Sequence, residues 1–115
     1  SAIIVEFKAP GVSMDDHIGD LTEYAHLLAA KSAGKLKRFY CYLIGDTLNA
    51  LRMGPGWTQF PTGAGYFQSG ELRDPTSRER LGETYSEILY YNDVVDRAQK
   101  RIGVYQDKLK LSLKA

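Results

Sequence analysis

The sequence of 115 residues lacks several features that define whole classes of protein. It has one cysteine, Cys41, so no intramolecular disulfide can form, and no second cysteine is present to build a structural zinc site. No apolar run reaches the roughly 18 residues of a membrane-spanning helix, and no basic start with a long apolar run marks a secretory leader. We therefore expect a cytoplasmic protein in a reducing compartment, with no membrane partner.

An excess of charge of one sign is also lacking. Fifteen Lys and Arg residues face fourteen Asp and Glu residues, which gives a formal net charge of +1. A chain so balanced is not a polybasic nucleic-acid binder, so any surface for nucleic acid must be local. The length, with 43% hydrophobic and 25% charged residues, is typical of a single globular domain, here residues 1–115.

Apolar spacing along the chain predicts an α/β fold, a mixed sheet flanked by helices. The predicted order is strand 3–8, helix 14–32, strand 37–45 parallel to the first, an aromatic hairpin within 54–70, strand 85–91 and helix 93–109. The expected helix caps are Ser13 with Asp16 and Gly34 for the first helix, Asp46 for a short helix over 47–53, and Asn92 for the closing helix. Residues 71–84 are polar and are expected to form a mobile loop.

The chain begins almost at once with Ile3-Ile4-Val5, which is apolar on both faces of a strand. Such a run is typical of the middle of a sheet, so we expect a central strand position. This start favours a C-terminal fragment of a larger protein, whose removed upstream hairpin would leave an open strand edge and promote a homodimer or strand exchange. The alternative is a complete small domain whose first strand pairs with later ones.

The segment most suggestive of catalysis is Glu6-Phe7-Lys8, at the end of the first predicted strand. Side chains two apart on a strand point to the same side, so the Glu6 carboxylate and the Lys8 ammonium project together. A carboxylate can hold a hard divalent cation, and an adjacent lysine can orient water beside a phosphodiester. A charged pair at the solvated end of a strand is the plainer interpretation.

The order of several motifs gives the pair a context. The chain reads IIVEFKAPG over residues 3–11, RFYCYLIGD over 38–46, GYF over 65–67 and YNDVVDRAQKR over 91–101. This series resembles the C-terminal nuclease-like domain of large bacterial proteins that carry an Hsp90-type ATPase module. Those domains are similar to the PD-(D/E)XK restriction-endonuclease superfamily, and the resemblance spans nearly the whole chain.

The resemblance implies a partial restriction-endonuclease-like core that lacks its N-terminal elements. Glu6 would be the catalytic, metal-binding acid, Lys8 the catalytic lysine, and the Phe7 carbonyl a further contact to Mg²⁺ or Mn²⁺. The implied partners are nucleic acid and the ATPase domain of the same parent chain. Asp20 stands where relatives often have Gln, and Ala9 stands where a basic residue is common.

The first acid of the family motif comes from an upstream strand and has no place in this sequence. One carboxylate holds a hard divalent ion poorly, so the isolated chain should not cleave nucleic acid or bind Mg²⁺ tightly. Two alternatives stay open: a non-catalytic interaction or dimerisation module of a larger ATPase, and a stand-alone small-ligand or regulatory domain.

Other chemically suggestive residues have plainer interpretations. His17 and His26 are nine residues apart, which is not a helical metal-binding spacing. Gly63-Ala64-Gly65 reads as a hairpin turn rather than a phosphate loop, and Cys41 as a packed thiol. Basic residues cluster over 31–38 and 97–114, either as phosphate-contacting stripes or as solvated helix faces.

Overall fold

The computed structural model describes residues 1–61 and 63–96. The elements are β1 (Ala2–Phe7), α1 (Ile18–Lys31), β2 (Arg38–Gly45), β3 (Thr58–Gln59), β4 (Tyr66–Arg73) and β5 (Arg80–Tyr90), with short 3₁₀ turns at Met14–His17 and Ala50–Arg52. Residues 91–96 are helical. The predicted α/β class with a mixed sheet is confirmed, and the part of the predicted closing helix beyond residue 96 lies outside the described residues.

Three parallel strands form the part of the sheet that carries the Glu6–Lys8 pair. β1 pairs with β2 and β2 pairs with β5, all in the same direction, with Glu6 opposite Leu43. The connection from β1 to β2 runs through α1, as expected for parallel neighbours. Because the strands are parallel, their carboxyl ends meet at one edge of the sheet, where Glu6 and Lys8 lie.

An antiparallel ribbon completes the sheet, in the order β1-β2-β5-β4-β3. β3 and β4 form the predicted aromatic hairpin, and β4 pairs with β5 over eight positions. The expectation of a mobile loop over 71–84 is wrong, because β4 extends to Arg73 and β5 already begins at Arg80. The turn between them is held by Asp74, whose carboxylate accepts the backbone N–H groups of Thr76 and Ser77 at 2.8 Å each.

The core lies between α1 and one face of the sheet. α1 contributes Leu21, Ala25 and Ala29, which repeat at helical spacing and are buried. The sheet contributes alternate residues of its central strands, namely Phe39, Cys41, Leu43, Leu72 and Ile88. Cys41 is 1% exposed and packs in this cluster, as its place in an apolar strand predicts.

The predicted central position of β1 is wrong within the described residues. β1 lies at the edge of the sheet and pairs there only with β2. Its side chains alternate, so that Ile4 is half-buried while Ile3 is 70% exposed and Phe7 is 64% exposed. An apolar run on both faces is therefore not evidence of a central strand here, because one of those faces is uncovered.

Three of the predicted helix caps are wrong as well. Ser13 makes no side-chain cap hydrogen bond, and α1 itself begins only at Ile18. The short helical turn after β2 is capped by Asn49, which accepts the N–H of Leu51, rather than by Asp46. Asn92 lies inside the last helical segment, which begins at residue 91.

The fourth predicted cap, Gly34, is displaced: the C-cap of α1 is Ser32, and Gly34 follows two residues later with a φ of +81°, the left-handed conformation that glycine adopts without strain. Within the described residues, no helix is long and apolar enough to cross a membrane.

Candidate functional site

Glu6 and Lys8 form an ion pair at the carboxyl end of β1. The Lys8 ammonium lies 2.7 Å from Glu6 Oε1, and the two side chains are only 17% and 18% exposed. Both project toward the layer that contains α1, because they share the side of β1 that also carries half-buried Ile4. The second carboxylate oxygen, Glu6 Oε2, is buried and has no hydrogen-bond partner among the described residues.

The surroundings of Lys8 favour its charged form. The hydrogen bond to Glu6 raises the pKa of Lys8 above its ordinary value, and the negative charge of Glu6 and the nearby Asp20 and Tyr24 of α1 act in the same direction. Partial desolvation opposes them without reversing the direction. Lys8 is therefore an ammonium at neutral pH, which can donate hydrogen bonds and balance negative charge but cannot accept a proton.

The backbone between the two charged residues has a defined orientation. The Lys8 N–H donates to the Ile44 carbonyl at 2.8 Å, so Lys8 and Glu6 direct their backbone groups to β2. The intervening Phe7 directs its N–H and carbonyl away from β2, toward the open edge of the sheet. The Phe7 carbonyl is thus not used by the ladder with β2 and lies beside Glu6 in sequence.

Hydrogen bonds join the loops that follow β1 and β2, next to the Glu6–Lys8 pair. The Gly11 N–H donates to Asp46 Oδ1 at 3.0 Å, and the Met14 N–H donates to the Thr47 carbonyl at 2.8 Å. The hydrogen bond from Gly11 lowers the pKa of Asp46. Asp46, expected as a helix cap, instead fixes the loop that follows Lys8.

Asp15 makes a further contact between these loops, which its sequence context does not predict. Its carboxylate accepts the Asn49 N–H at 3.0 Å and contacts Arg52 at 3.0 Å, with the side chain only 1% exposed. The bond from Asn49 is the main reason that the pKa of Asp15 is lowered. The only sequence signal was an acidic pair, Asp15-Asp16, at the start of a helix, which ordinary dipole-favourable placement explains equally well.

A second acidic feature lies where β2 and β5 end. A cavity of about 530 Å³ is lined by Asp46, Ala64, Tyr90, Tyr91, Asn92 and Asp93. Asp93 Oδ2 is buried, and residues 1–61 and 63–96 provide no hydrogen-bond partner for it. Sequence reasoning missed Asp93 because it treated this stretch as the start of a surface helix, although the carboxyl ends of parallel strands are common ligand positions. Glu6 and Lys8 do not line this cavity.

The structure does not assemble a full metal centre from these acids. Within residues 1–61 and 63–96, no group of three or more His, Cys, Asp or Glu side chains is placed to hold a metal ion. His17 contacts Asp20, with 2.9 Å between His17 Nδ1 and Asp20 Oδ2.

Three of the described basic residues form a group far from the Glu6–Lys8 pair. Lys37, Arg38 and Arg80 line a hollow at the amino end of β2. Glu6 lies opposite Leu43 of β2, and Leu43 is five residues beyond Arg38 on that strand. Roughly 15 Å or more therefore separate this basic hollow from the pair. Phosphate contacts by this hollow would lie at the other end of the sheet.

Comparison of the chain with protein-family models, with curated proteins and with solved structures finds no match in any of the three.

Proposed function

We propose that this chain is the nuclease-like part of a larger nucleic-acid-processing protein, in which Glu6 and Lys8 serve metal-dependent phosphodiester cleavage. The observation that supports this proposal best is the buried oxygen of Glu6, which has no partner in the part of the chain that the structure describes. A buried carboxylate oxygen normally has a hydrogen-bond donor, and leaving one without a partner costs free energy. A bound cation would be a partner for Glu6 Oε2, whereas the ion pair with Lys8 uses the other carboxylate oxygen, Oε1.

The donor set fits Mg²⁺ or Mn²⁺ in part. Glu6 Oε2 and the Phe7 carbonyl are hard oxygen donors next to each other in the chain, and both are left unused by the β1–β2 ladder. Two protein donors are fewer than such sites usually employ, so a further acid would have to complete the centre. A bound divalent ion would supply an activated water and neutralise charge on the phosphate.

Lys8 has a separate role in this proposal. Because its pKa is raised, it stays protonated and can donate a hydrogen bond to a phosphate oxygen as negative charge builds there. The hydrogen bond from the Lys8 N–H to the Ile44 carbonyl and the pairing of β1 with β2 hold the backbone of Lys8 and Glu6 in place. Rigid backbone positions of this kind keep such groups in a productive geometry.

The proposal is tested on the longer protein that the resemblance implies, beside this chain. Glu6→Gln removes a metal donor, and Lys8→Met removes the ammonium, so each should reduce Mg²⁺- or Mn²⁺-dependent cleavage of DNA or RNA by about 100-fold or more. Glu71→Gln and Arg73→Met are matched controls. Glu71 and Arg73 are also two apart on a strand and 2.7 Å apart, but each is 48% exposed.

The outcomes separate the hypotheses. Cleavage that survives Glu6→Gln in the longer protein rules out this site, and cleavage by the isolated chain rules out the need for a further acid. A longer protein without cleavage under any condition, ATP included, favours the second candidate, a non-catalytic interaction or dimerisation module. The exposed apolar side chains of Ile3, Val5 and Phe7 are the observation that supports this second candidate.

A further inference from the structure

The outer edge of β1 presents unpaired backbone groups within the described residues. Lys8 and the residues two, four and six positions before it bond to β2, because the Lys8 N–H donates to Ile44 and pairing alternates along a parallel strand. The amides of Ile3, Val5 and Phe7 therefore point outward. An edge of this kind accepts another strand readily.

A row of exposed apolar side chains lies on α1 above the same edge. Tyr24 is 44% exposed and Leu27 is 58% exposed. Tyr24 lies close enough to Lys8 to influence its pKa, so this side of α1 is the side that faces β1. Leu27 follows Tyr24 by three residues and shares that side of the helix. A strand placed beside β1 would bring its side chains beneath Tyr24 and Leu27.

The C-terminal sequence, which lies outside the described residues, contains a pattern suited to this position. Residues 108–114 read KLKLSLK, in which Leu109, Leu111 and Leu113 alternate strictly with polar residues. Strict alternation over seven residues predicts a strand with one apolar face. Lysines on the other face are typical of a strand at the edge of a sheet.

Chain length and charge both permit the contact. β5 ends at the same edge of the sheet as β1, and the position beside β1 is three strand spacings, or about 14 Å, from β5. Residues 91–107 are ample to cross that distance. Residues 97–115 carry six basic residues and one acidic residue, whereas residues 1–96 carry nine basic and thirteen acidic ones, so the two parts attract each other.

We propose that residues 108–114 pair with the outer edge of β1 as an antiparallel sixth strand, with the leucines facing the α1 layer. The antiparallel direction follows from the connection, which arrives at the carboxyl end of β1.

Amide hydrogen exchange of the full 115-residue chain, followed by NMR, tests the pairing residue by residue. The amides of Ile3, Val5 and Phe7 should exchange at least about 10-fold more slowly than unstructured amides. Leu111→Lys should remove that protection, because it places a charge on the apolar face. Ser112→Lys, the matched control, adds the same charge on the opposite face and should leave the protection unchanged.

The amides of Ile4 and Glu6, which bond to β2, should stay protected in both variants and report that the fold is intact. Fast exchange at Ile3, Val5 and Phe7 in the unsubstituted chain would overturn the proposal, as would an equal response to the two substitutions. Protection that increases with protein concentration, or contacts between differently labelled chains, would assign the edge to a second copy and also overturn it.

Discussion

The two faces of the sheet contain similar residue types in different environments. On the face beneath α1, Phe39 and Leu43 are fully buried. On the opposite face, Phe67 and Tyr85 remain 37% and 38% exposed, although they belong to neighbouring strands of the same sheet. Burial is thus determined by the covering helix and not by the apolar character of the strand.

The open face is aromatic rather than merely apolar. Tyr40 and Tyr85 stack with 5.4 Å between ring centroids, and Phe60 and Phe67 lie 5.1 Å apart. Together with Tyr42, Glu87 and adjacent polar residues, these rings line a groove of about 520 Å³. Stacked rings bury part of their surface against each other, which stabilises a face that no other described element covers.

Matched phenylalanine substitutions should show the largest difference between the faces. Phe39→Ala would leave a cavity beneath α1 and should lower the free energy of unfolding by about 3–5 kcal/mol. Phe67→Ala should cost about 1 kcal/mol, chiefly the contact with Phe60. Urea unfolding followed by circular dichroism measures both. Equal losses would show that the open face is covered in solution and would contradict the difference between the two faces.

A smaller loss should follow from adding one methyl group on the side beneath α1. A Cβ atom on Gly82 would clash with the Lys37 carbonyl oxygen, and this backbone atom cannot move without shifting the start of β2. Gly82→Ala should therefore cost about 1–3 kcal/mol in urea unfolding.

Gly70→Ala is the control on the neighbouring strand. Its new Cβ would meet the Thr84 hydroxyl at 3.2 Å, and this side chain can rotate away, so the loss should stay under about 1 kcal/mol. If Gly82→Ala were as mild as Gly70→Ala, the packing around Lys37 would be looser than the structure shows.

Much of this fold follows from local sequence patterns, and the failures share one cause. The strands and α1 were predictable because β-branched and aromatic runs and helical apolar spacing are local signals. The position of β1 at the edge of the described strands and the β4–β5 ribbon were not, since Ile3-Ile4-Val5 looks alike in a central or an edge strand, and a polar ribbon lacks apolar alternation. What decides these cases is the neighbouring layer, which a local pattern does not contain.

The candidate site shows the same division. The close approach of Glu6 and Lys8 follows from their spacing on a strand and agrees with expectation. The contact of Asp15 with Asn49 joins residues 34 positions apart, and the buried oxygen of Asp93 depends on where β2 and β5 end. Neither has a local signature, so only the three-dimensional arrangement reveals them.

The smallest expected effect on stability concerns Asp15, which lies in the 3₁₀ turn directly before α1. Because hydrogen bonding by Asn49 and the charge of Arg52 lower the pKa of Asp15 in the folded state, its ionised form stabilises the fold. This contribution is fully present above the unfolded-state value of about 4 and is lost as pH falls through the lowered folded-state pKa.

Asp15→Asn should therefore reduce the free energy of unfolding at pH 6 and make little difference near pH 2, as urea unfolding across this range would measure. The reduction should be modest, because asparagine keeps an acceptor for the Asn49 N–H and Arg52 is 59% exposed. Asp16→Asn is the matched control, since its half-exposed carboxylate contacts Arg52 at 2.8 Å and not Asn49. An identical pH response in the two variants would show that Arg52, rather than the amide of Asn49, determines the role of Asp15. A difference confined to Asp15 would show that the hydrogen bond from the Asn49 N–H stabilises the ionised carboxylate and, with it, the fold.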